Sequence, residues 1–223
     1  MSSPIALVIG AGPGLGRSTA LRFARAGYDI GLVSRREETV KKLADEVTAV
    51  GVDVGWAAAD IADADALGGA IRRMAEHTGR VDVLHFNPSA VREARPRDLT
   101  ASQLLSDLAV GTAGLLTAVQ AALPALLAQH TGTILVTGSG VADHPFTGFA
   151  SLGVQKAAIR NLTQALAADL KPEGIHVATV TVRGDLERGT PTSPDAVADV
   201  LFGLARETAG DPANWRTLVE LPG

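Results

Sequence analysis

The chain alternates short runs of apolar and β-branched residues with longer segments in which apolar residues recur at helical spacing. The short runs are typical of buried strands and the longer segments of amphipathic helices. Such alternation predicts βαβ units, and therefore a mostly parallel sheet with right-handed crossovers. The predicted strands cover residues 5–9, 29–33, 54–58, 81–86, 133–137, 177–182 and 217–221.

Helical segments fill the gaps between these strands, and the last of them has a recognisable start. Ser193 is suited to cap a helix, Pro194 is suited to its first position, and the pattern continues to Ala205. The 223 residues contain no internal repeat, linker or low-complexity tract. The sequence therefore predicts a single α/β domain over residues 1–223, with helices on both faces of a sheet of about seven strands.

Composition narrows the class of protein. The net charge of −4 and the scattered Lys and Arg residues argue against a nucleic-acid surface. The absence of cysteine excludes a disulfide scaffold and thiolate metal sites, and it favours a reducing cytosol. Residues 1–4 lack the basic flank of a signal peptide. We therefore expect a cytoplasmic protein with no metal and no nucleic-acid partner.

One segment, residues 108–129, carries no charge and is long enough to cross a bilayer. Thr112, Thr117, Gln120 and Pro124 interrupt it, and the surrounding α/β pattern favours a helix outside the membrane. A helix that is apolar nearly all round must still be covered on more than one side. We expect the sheet on one side and a partner subunit on the other, with no membrane.

Residues 10–16, Gly-Ala-Gly-Pro-Gly-Leu-Gly, directly follow the first predicted strand and precede a helical pattern that begins at Arg17. Glycines at such a turn let the backbone approach a pyrophosphate, and the helix N-terminus offers unpaired N–H groups and a positive dipole end. A glycine-rich turn alone is weak evidence, but here the flanking strand and helix are present. We predict a dinucleotide site at Gly10, Gly12, Pro13, Gly14, Leu15 and Gly16.

The residues after the second predicted strand favour NADP(H) over NAD. Ser34, Arg35 and Arg36 stand where an acidic residue would bind an NAD ribose or an arginine an NADP 2′-phosphate. Glu37 and Glu38 come later and have the position of first-turn helix residues. The alternative is that Arg35 and Arg36 form a solvated charged pair. We predict NADP(H) as the cofactor.

Four further features complete a family resemblance: Asp60-Ile61 after the third strand, Asn87 after the fourth, Ser139 at the end of the fifth, and Lys156 on the following helix. With the glycine turn they resemble the short-chain dehydrogenase/reductases over essentially the whole chain. The resemblance implies a Rossmann-like, doubly wound parallel sheet, and a homodimer or homotetramer built through the uncharged helix and the helix with Lys156. It also implies cofactor contacts from Asp60, Ile61, Asn87, Pro88, Lys156, Arg183 and Gly184.

In that family, catalysis uses an Asn, a Ser and a Tyr-x-x-x-Lys pair. Ser139 matches the serine and Lys156 the lysine, which also contacts the nicotinamide ribose in the family. The residues themselves leave alternatives open, since Ser139 could belong to a polar strand exit and Lys156 could be a solvated helix lysine.

The other two catalytic positions depart from the family pattern. Leu152 stands four residues before Lys156, where the tyrosine belongs, and Gly111 stands where the asparagine usually lies. The tyrosine phenol gives a proton to the substrate oxygen, and a positioned general acid contributes about 10²–10⁴ in rate. The lid after the sixth strand is also short, since only residues 185–192 precede Ser193. A short lid favours an open mouth, suited to a bulky or carrier-bound substrate, or to no substrate.

His144 is the predicted replacement for the tyrosine, because imidazole titrates near neutral pH and the loop after Ser139 lines the family's substrate pocket. Asp143, Asp185 and His85 are weaker candidates. A loop histidine is often an ordinary surface residue, and His85, within a predicted strand, fits a hydrogen-bonded core histidine.

These observations favour an NADP(H)-dependent oxidoreductase with a non-standard active site, acting on a carbonyl, an imine or a similar group of a small-molecule or carrier-bound substrate. An iminium-like substrate would need no proton donor. Two alternatives stay open. One is a protein that binds NADP(H) without turnover and acts as a regulator or assembly partner, and the other is a non-redox isomerase or dehydratase on the same fold.

Overall fold

Seven parallel strands form one sheet in the computed structural model, which describes residues 3–223. Their order across the sheet is β3-β2-β1-β4-β5-β6-β7, so the order reverses between β1 and β4. Doubly wound sheets bind ligands at this reversal, beyond the carboxyl ends of the strands. The strands are β1 (Ile5–Ile9), β2 (Asp29–Ser34), β3 (Val54–Ala58), β4 (Val83–Phe86), β5 (Gly132–Ser139), β6 (Ile175–Arg183) and β7 (Leu218–Pro222). The helices are α1 (Leu15–Ala24), α2 (Glu37–Thr48), α3 (Ala64–Thr78), α4 (Ala101–Leu108), α5 (Gly114–Gln129), α6 (Ala150–Leu170) and α7 (Pro194–Glu207).

Both faces of the five central strands are buried, whereas the edge strands β3 and β7 are partly exposed. Along β1, Ile5, Leu7 and Ile9 belong to one core and Ala6 and Val8 to the other, because successive side chains of a strand point to opposite faces. Helices α3, α5 and α6 cover the first face, and α1, α2 and α7 cover the second. Burial on both faces explains why the strands are continuous apolar runs. The predicted single α/β domain is confirmed.

The predicted strands agree with the observed ones to within two residues at each end. β4 begins at Val83, two residues later than predicted, and the preceding Asp82 carboxylate accepts a hydrogen bond from the Ile5 backbone N–H at 2.8 Å. α7 begins at Pro194, as predicted, and the Ala196 N–H donates to the Ser193 hydroxyl oxygen at 3.4 Å.

Helices α4 and α5 are joined by the π-helical residues Ala109–Ala113, so one continuous helix covers Ala101–Gln129. This helix has the length and mean hydropathy of a membrane-crossing helix. However, α5 packs a row of leucine, valine and alanine side chains into the core, and Asp107 at the end of α4 forms an ion pair with Arg92. These contacts are typical of a core helix that covers a sheet.

Candidate functional site

The glycine turn lies between β1 and α1, at the carboxyl end of the sheet. Gly10 has a φ of +81°, and a Cβ there would lie 2.9 Å from Pro88 Cγ. A Cβ on Gly16 would lie 2.6 Å from the Gly10 carbonyl oxygen, so local packing requires both glycines. In contrast, a Cβ on Gly14 would meet no atom within 4 Å. The middle of the turn therefore faces open space that a ligand can enter.

The start of α1 is also available to a ligand. Gly14 is its N-cap, no side chain makes a capping hydrogen bond, and the first turn contains no acidic residue. The first N–H groups of a helix need a partner, and the helix dipole favours an anion there. The turn and α1 together form a site suited to a pyrophosphate.

A cavity of about 640 Å³ extends from the glycine turn past the ends of β2, β3 and β4 to the long helix. Arg35 and Arg36 are exposed at its rim, and neither forms an ion pair with another residue of the described range 3–223. Guanidinium groups bind phosphates through paired hydrogen bonds, so this rim suits a phosphate. The predicted residues in the wall are Gly10, Gly12, Pro13, Ser34, Arg35, Arg36, Asp60, Ile61 and Pro88.

A second cavity, of about 440 Å³, lies on the other side of the glycine turn. Its wall brings together Asn87, Ser139, Leu152, Lys156 and Gly184, which come from four separate parts of the chain. Gly14, Leu15 and Gly16 of the turn line it as well. The predicted catalytic positions therefore share a cavity with the predicted nucleotide turn.

Lys156 enters the second cavity from α6. Its side chain is buried, and its ammonium donates a hydrogen bond to the Thr137 carbonyl oxygen at 2.8 Å. Burial lowers the pKa of Lys156 to about 8, because the charged form loses its hydration. The alternative of a solvated helix lysine is therefore wrong.

A buried chain of hydrogen bonds connects His85 to the glycine turn. The Asn87 amide NH₂ donates to the Gly10 carbonyl oxygen at 3.2 Å, so the Asn87 oxygen faces Thr137 and accepts from its hydroxyl at 2.9 Å. Because the Thr137 hydroxyl donates its proton to Asn87, its oxygen accepts a hydrogen bond from His85 Nε2 at 2.9 Å. Thr137 was not predicted from the sequence; its hydroxyl reaches the turn only through Asn87, and its carbonyl oxygen accepts from Lys156.

His85 is a neutral core histidine. It is fully buried, and burial, assisted by the nearby charge of Lys156, lowers its pKa to about 3. The expectation of a core histidine agrees with this burial, although only Nε2 is hydrogen-bonded, since Nδ1 has no partner among residues 3–223. Its imidazole is not available as an acid near neutral pH.

The space beside Gly111 is filled from the neighbouring helix. Gly111 lies in the π-helical segment, and a Cβ there would lie 2.5 Å from Oε1 of Gln155 on α6. Gln155 is fully buried, its Oε1 accepting from the Ala90 N–H at 3.0 Å and its Nε2 donating to the Ala90 carbonyl at 2.9 Å. Ala90 lines the first cavity, so Gln155 fixes part of the cavity wall. Gln155 was not predicted from the sequence, in which its one signal is a polar side chain directly beside Lys156.

Two predicted site residues lie outside both cavities. His144 is exposed after a short 3-10 turn, where its backbone N–H donates to the Gly140 carbonyl at 3.0 Å. The Arg183 guanidinium donates to Glu220 on β7 and to Asp143, and it does not line either cavity. The predicted roles of these two residues in the site are corrected. Acidic partners hold the Arg183 guanidinium, and the loop leaves the His144 side chain exposed to solvent.

The remaining candidate acids are also placed elsewhere. Asp143 forms an ion pair with Arg160, and this hydrogen bond holds the Asp143 pKa below its usual value. Asp185 is exposed in the short connection from β6 to α7, where its carbonyl oxygen accepts from the Thr192 hydroxyl at 2.7 Å. Leu186, 45% exposed, is the residue of this connection that lines the second cavity, so the connection covers little of it. Within residues 3–223, no group of three or more His, Asp or Glu side chains could hold a metal ion.

A glycine turn at the switch point of a doubly wound parallel sheet defines a nucleotide-binding protein of the Rossmann class. The sequence model of the short chain dehydrogenase family matches residues 4–184, and the chain belongs to this oxidoreductase family.

Individual relatives agree with this assignment. The chain is 32% identical over 213 residues to sulfoacetaldehyde reductase 2 of Chromohalobacter salexigens, covering 95% of this chain and 79% of that protein. It is 31% identical over 176 residues to the 3-oxoacyl-[acyl-carrier-protein] reductase FabG of Staphylococcus aureus, covering 78% and 72%. The crystal structure of a metagenomic short-chain oxidoreductase in complex with NADP has the same fold, with a TM-score of 0.88 at 23% identity and coverage of 100% and 98%.

Proposed function

We propose that residues 1–223 form an NADP(H)-dependent oxidoreductase with a non-standard active site. The observation that carries the proposal is the second cavity, where Ser139, Leu152 and Lys156 line one wall beside the glycine turn. A bound dihydronicotinamide supplies hydride, and the protein supplies position and electrostatics. The substrate oxygen or nitrogen would lie between Ser139 and Lys156.

The residues around the two cavities have distinct roles toward NADP(H). The turn of residues 10–16 and the start of α1 bind the pyrophosphate, and Lys156 contacts the nicotinamide ribose. Ser34, Arg35 and Arg36 bind the adenosine ribose and its 2′-phosphate, which is supported by two exposed guanidinium groups that pair with no acidic side chain of residues 3–223. The other contacts come from Asp60, Ile61, Asn87, Pro88 and Gly184.

Ser139 is suited to bind the substrate oxygen. Its hydroxyl oxygen accepts from the Val141 N–H at 3.4 Å, which leaves the hydroxyl proton for another acceptor. Leu152 supplies an apolar wall and no proton. An iminium ion, whose reduction needs no proton, is therefore compatible with Leu152, whereas a ketone needs a proton donor from elsewhere in the cavity.

The substrate class is a carbonyl or imine compound, small or carrier-bound. The two curated relatives are named as reductases of sulfoacetaldehyde and of 3-oxoacyl-[acyl-carrier-protein], which are both carbonyl compounds. The short connection over the second cavity supports a bulky or carrier-bound partner, because a longer lid would enclose the substrate.

Binding of NADP(H) without turnover is the second candidate function. Leu152 and the Gly111–Gln155 contact favour it, because they replace the family's proton donor and asparagine with groups that cannot transfer a proton. In that case the protein would act as a regulator or an assembly partner.

We further propose a cytoplasmic homodimer or homotetramer. Leu105, Leu116 and Val154 are exposed apolar side chains on α4, α5 and α6, the helices expected at the subunit interface.

The test is NADPH oxidation, measured anaerobically against a panel of ketones, imines and enones. We expect oxidation with at least one class and its loss in Lys156→Ala, whereas the control Lys171→Ala, at an exposed lysine after α6, behaves as wild type. NADPH binding by calorimetry without oxidation of any class would favour the second candidate. Failure to bind NADPH would contradict both.

A further inference from the structure

The second cavity contains one ionisable side chain among the described residues that line it, that of Lys156. The candidates for replacing the family's phenol lie elsewhere: His144 in solvent, Asp143 in an ion pair, and His85 in the core as a neutral ring. We propose that the Lys156 ammonium is itself the proton donor to the substrate oxygen. This inference rests on the proposed oxidoreductase function.

The geometry of α6 supports direct donation. Leu152 and Lys156 are four residues apart on one helix, so their side chains lie on the same face, one turn apart. Both line the second cavity, and leucine at position 152 is shorter than the family's tyrosine. A substrate oxygen above this face can therefore approach the ammonium directly.

The Lys156 ammonium can donate more hydrogen bonds than the one it makes to Thr137. It carries three N–H donors, and the Thr137 carbonyl oxygen accepts one of them at 2.8 Å. The other two are available to a ribose hydroxyl and to a substrate oxygen. Thr137 therefore orients the ammonium and leaves its other two N–H groups for ligands.

In the described part of the chain, the charged groups on the elements packed around α6 do not form an ion pair with the Lys156 ammonium. Asp107 on α4 is paired with Arg92, and β5 carries no ionisable residue. On β6, Arg183 is paired with Asp143 and Glu220, and Asp143 also pairs with Arg160 of α6. At the far end of β6, His176 is hydrogen-bonded to the Arg216 carbonyl oxygen. Lys171 and Glu173 follow the C-terminal end of α6. No carboxylate among residues 3–223 pairs with Lys156, and burial lowers its pKa to about 8. Lys156 is therefore protonated at neutral pH and is a stronger acid than a solvated lysine.

The step balances for a carbonyl substrate. The carbonyl carbon gains hydride from the dihydronicotinamide, the carbonyl π bond breaks, and an N–H bond of Lys156 breaks as the new O–H bond forms. The products are an alcohol, the oxidised nicotinamide and a neutral amine, which regains a proton from water. An iminium ion gains hydride at carbon and needs no proton.

Two probes separate the proton step from hydride transfer: a ketone and a permanently charged N-methyl cyclic iminium. In the wild-type protein saturated with NADPH, we expect the ketone rate to fall tenfold per pH unit above the Lys156 pKa, while the iminium rate stays level. Equal pH dependence of the two rates would overturn the proposal.

Variants test the same point. Lys156→Arg keeps a positive charge but does not release a proton in this pH range, so the ratio of ketone to iminium rates should fall about 100-fold. Lys171→Arg is the matched control and should leave the ratio unchanged. An unchanged ratio in Lys156→Arg would contradict the role of Lys156.

A measurement without cofactor or substrate keeps this test distinct from that of the proposed function. With ¹³Cε-labelled lysine, the NMR signal that disappears in Lys156→Arg should titrate near pH 8 in the wild type. A Lys156 signal that remains charged at pH 10 would overturn the inference and leave the proposed function standing. Reduction of neither probe, with normal titration, would overturn the proposed function and this inference with it.

Discussion

Arg35 and Arg36 would decide the choice between the two nicotinamide cofactors. Arg35→Ala should raise the Kd for NADPH about tenfold and leave the Kd for NADH nearly unchanged, because only NADPH carries the phosphate that the guanidinium binds. Calorimetry with both nucleotides measures this difference. Arg25→Ala removes an exposed arginine that lines neither cavity and should change neither value. Equal wild-type affinity for NADPH and NADH would contradict the assignment of NADP(H) as the cofactor.

His85 makes stability depend on pH. The unfolded imidazole takes a proton below its usual pKa of 6.5, whereas the folded one stays neutral down to about 3. The stability is therefore complete above pH 6.5 and is lost as the pH falls toward 3. Between pH 6.5 and 5 this single group should lower the free energy of unfolding by up to about 2 kcal/mol.

Urea unfolding at both pH values measures this loss. His85→Val should show a smaller loss, and the control His144→Ala, at an exposed ring, should show the wild-type loss. The same loss in wild type and His85→Val would mean that other groups cause the acid sensitivity.

Single residues also show what the sequence could predict. The glycine turn was predictable, because a strand, a glycine run and a helix start are adjacent in the chain. The direction of Arg183 was not, because it depends on Glu220 and Asp143, which are distant in sequence. Thr137 was missed for a similar reason, since its partners come from β4 and α6.

At the level of elements, the contact between the π-helical segment and α6 depends on one glycine. Gly111→Ala should lower the free energy of unfolding by about 1–3 kcal/mol, because the new methyl group overlaps the Gln155 amide. In a Gln155→Ala background the same change should cost less than about 1 kcal/mol, since the overlap is removed. Denaturant unfolding of the four proteins gives the coupling energy.

A second glycine supplies the control for this cycle. Gly203 lies within α7 with nothing near its missing side chain, so Gly203→Ala should stabilise the protein by about 0.5–1 kcal/mol. If Gly111→Ala behaves like Gly203→Ala, the contact with Gln155 does not limit position 111.

Element types and order were predictable from hydrophobic spacing, since the five central strands are short apolar runs buried on both faces. The contacts between helices were not. The uncharged segment is apolar nearly all round, so its sequence does not show that Leu126 is fully buried while Leu116 is 39% exposed. Only packing against the sheet distinguishes these two leucines.

At the level of the whole molecule, the exposed apolar residues on α4, α5 and α6 lead to a prediction of assembly. Leu116→Glu should shift the protein to monomers, because a charge would be buried in the interface. Sedimentation at micromolar concentration measures the change. Val50→Glu, at an equally exposed residue following α2, should leave the assembly intact. A monomeric wild type at that concentration would show that no interface forms.

Thr137 connects the glycine turn, which lines both cavities, to Lys156, which lines the second. Its hydroxyl reaches the glycine turn through Asn87, and its carbonyl oxygen holds the Lys156 ammonium. A nucleotide whose binding shifts the turn would, through these bonds, also change the pKa of Lys156. Linkage is reciprocal, so the proton must change the nucleotide's affinity by the same factor. The affinity of the protein for its cofactor should therefore depend on pH near pH 8. Through this coupling, a bound nucleotide would change the protonation of Lys156, and protonation would change nucleotide binding.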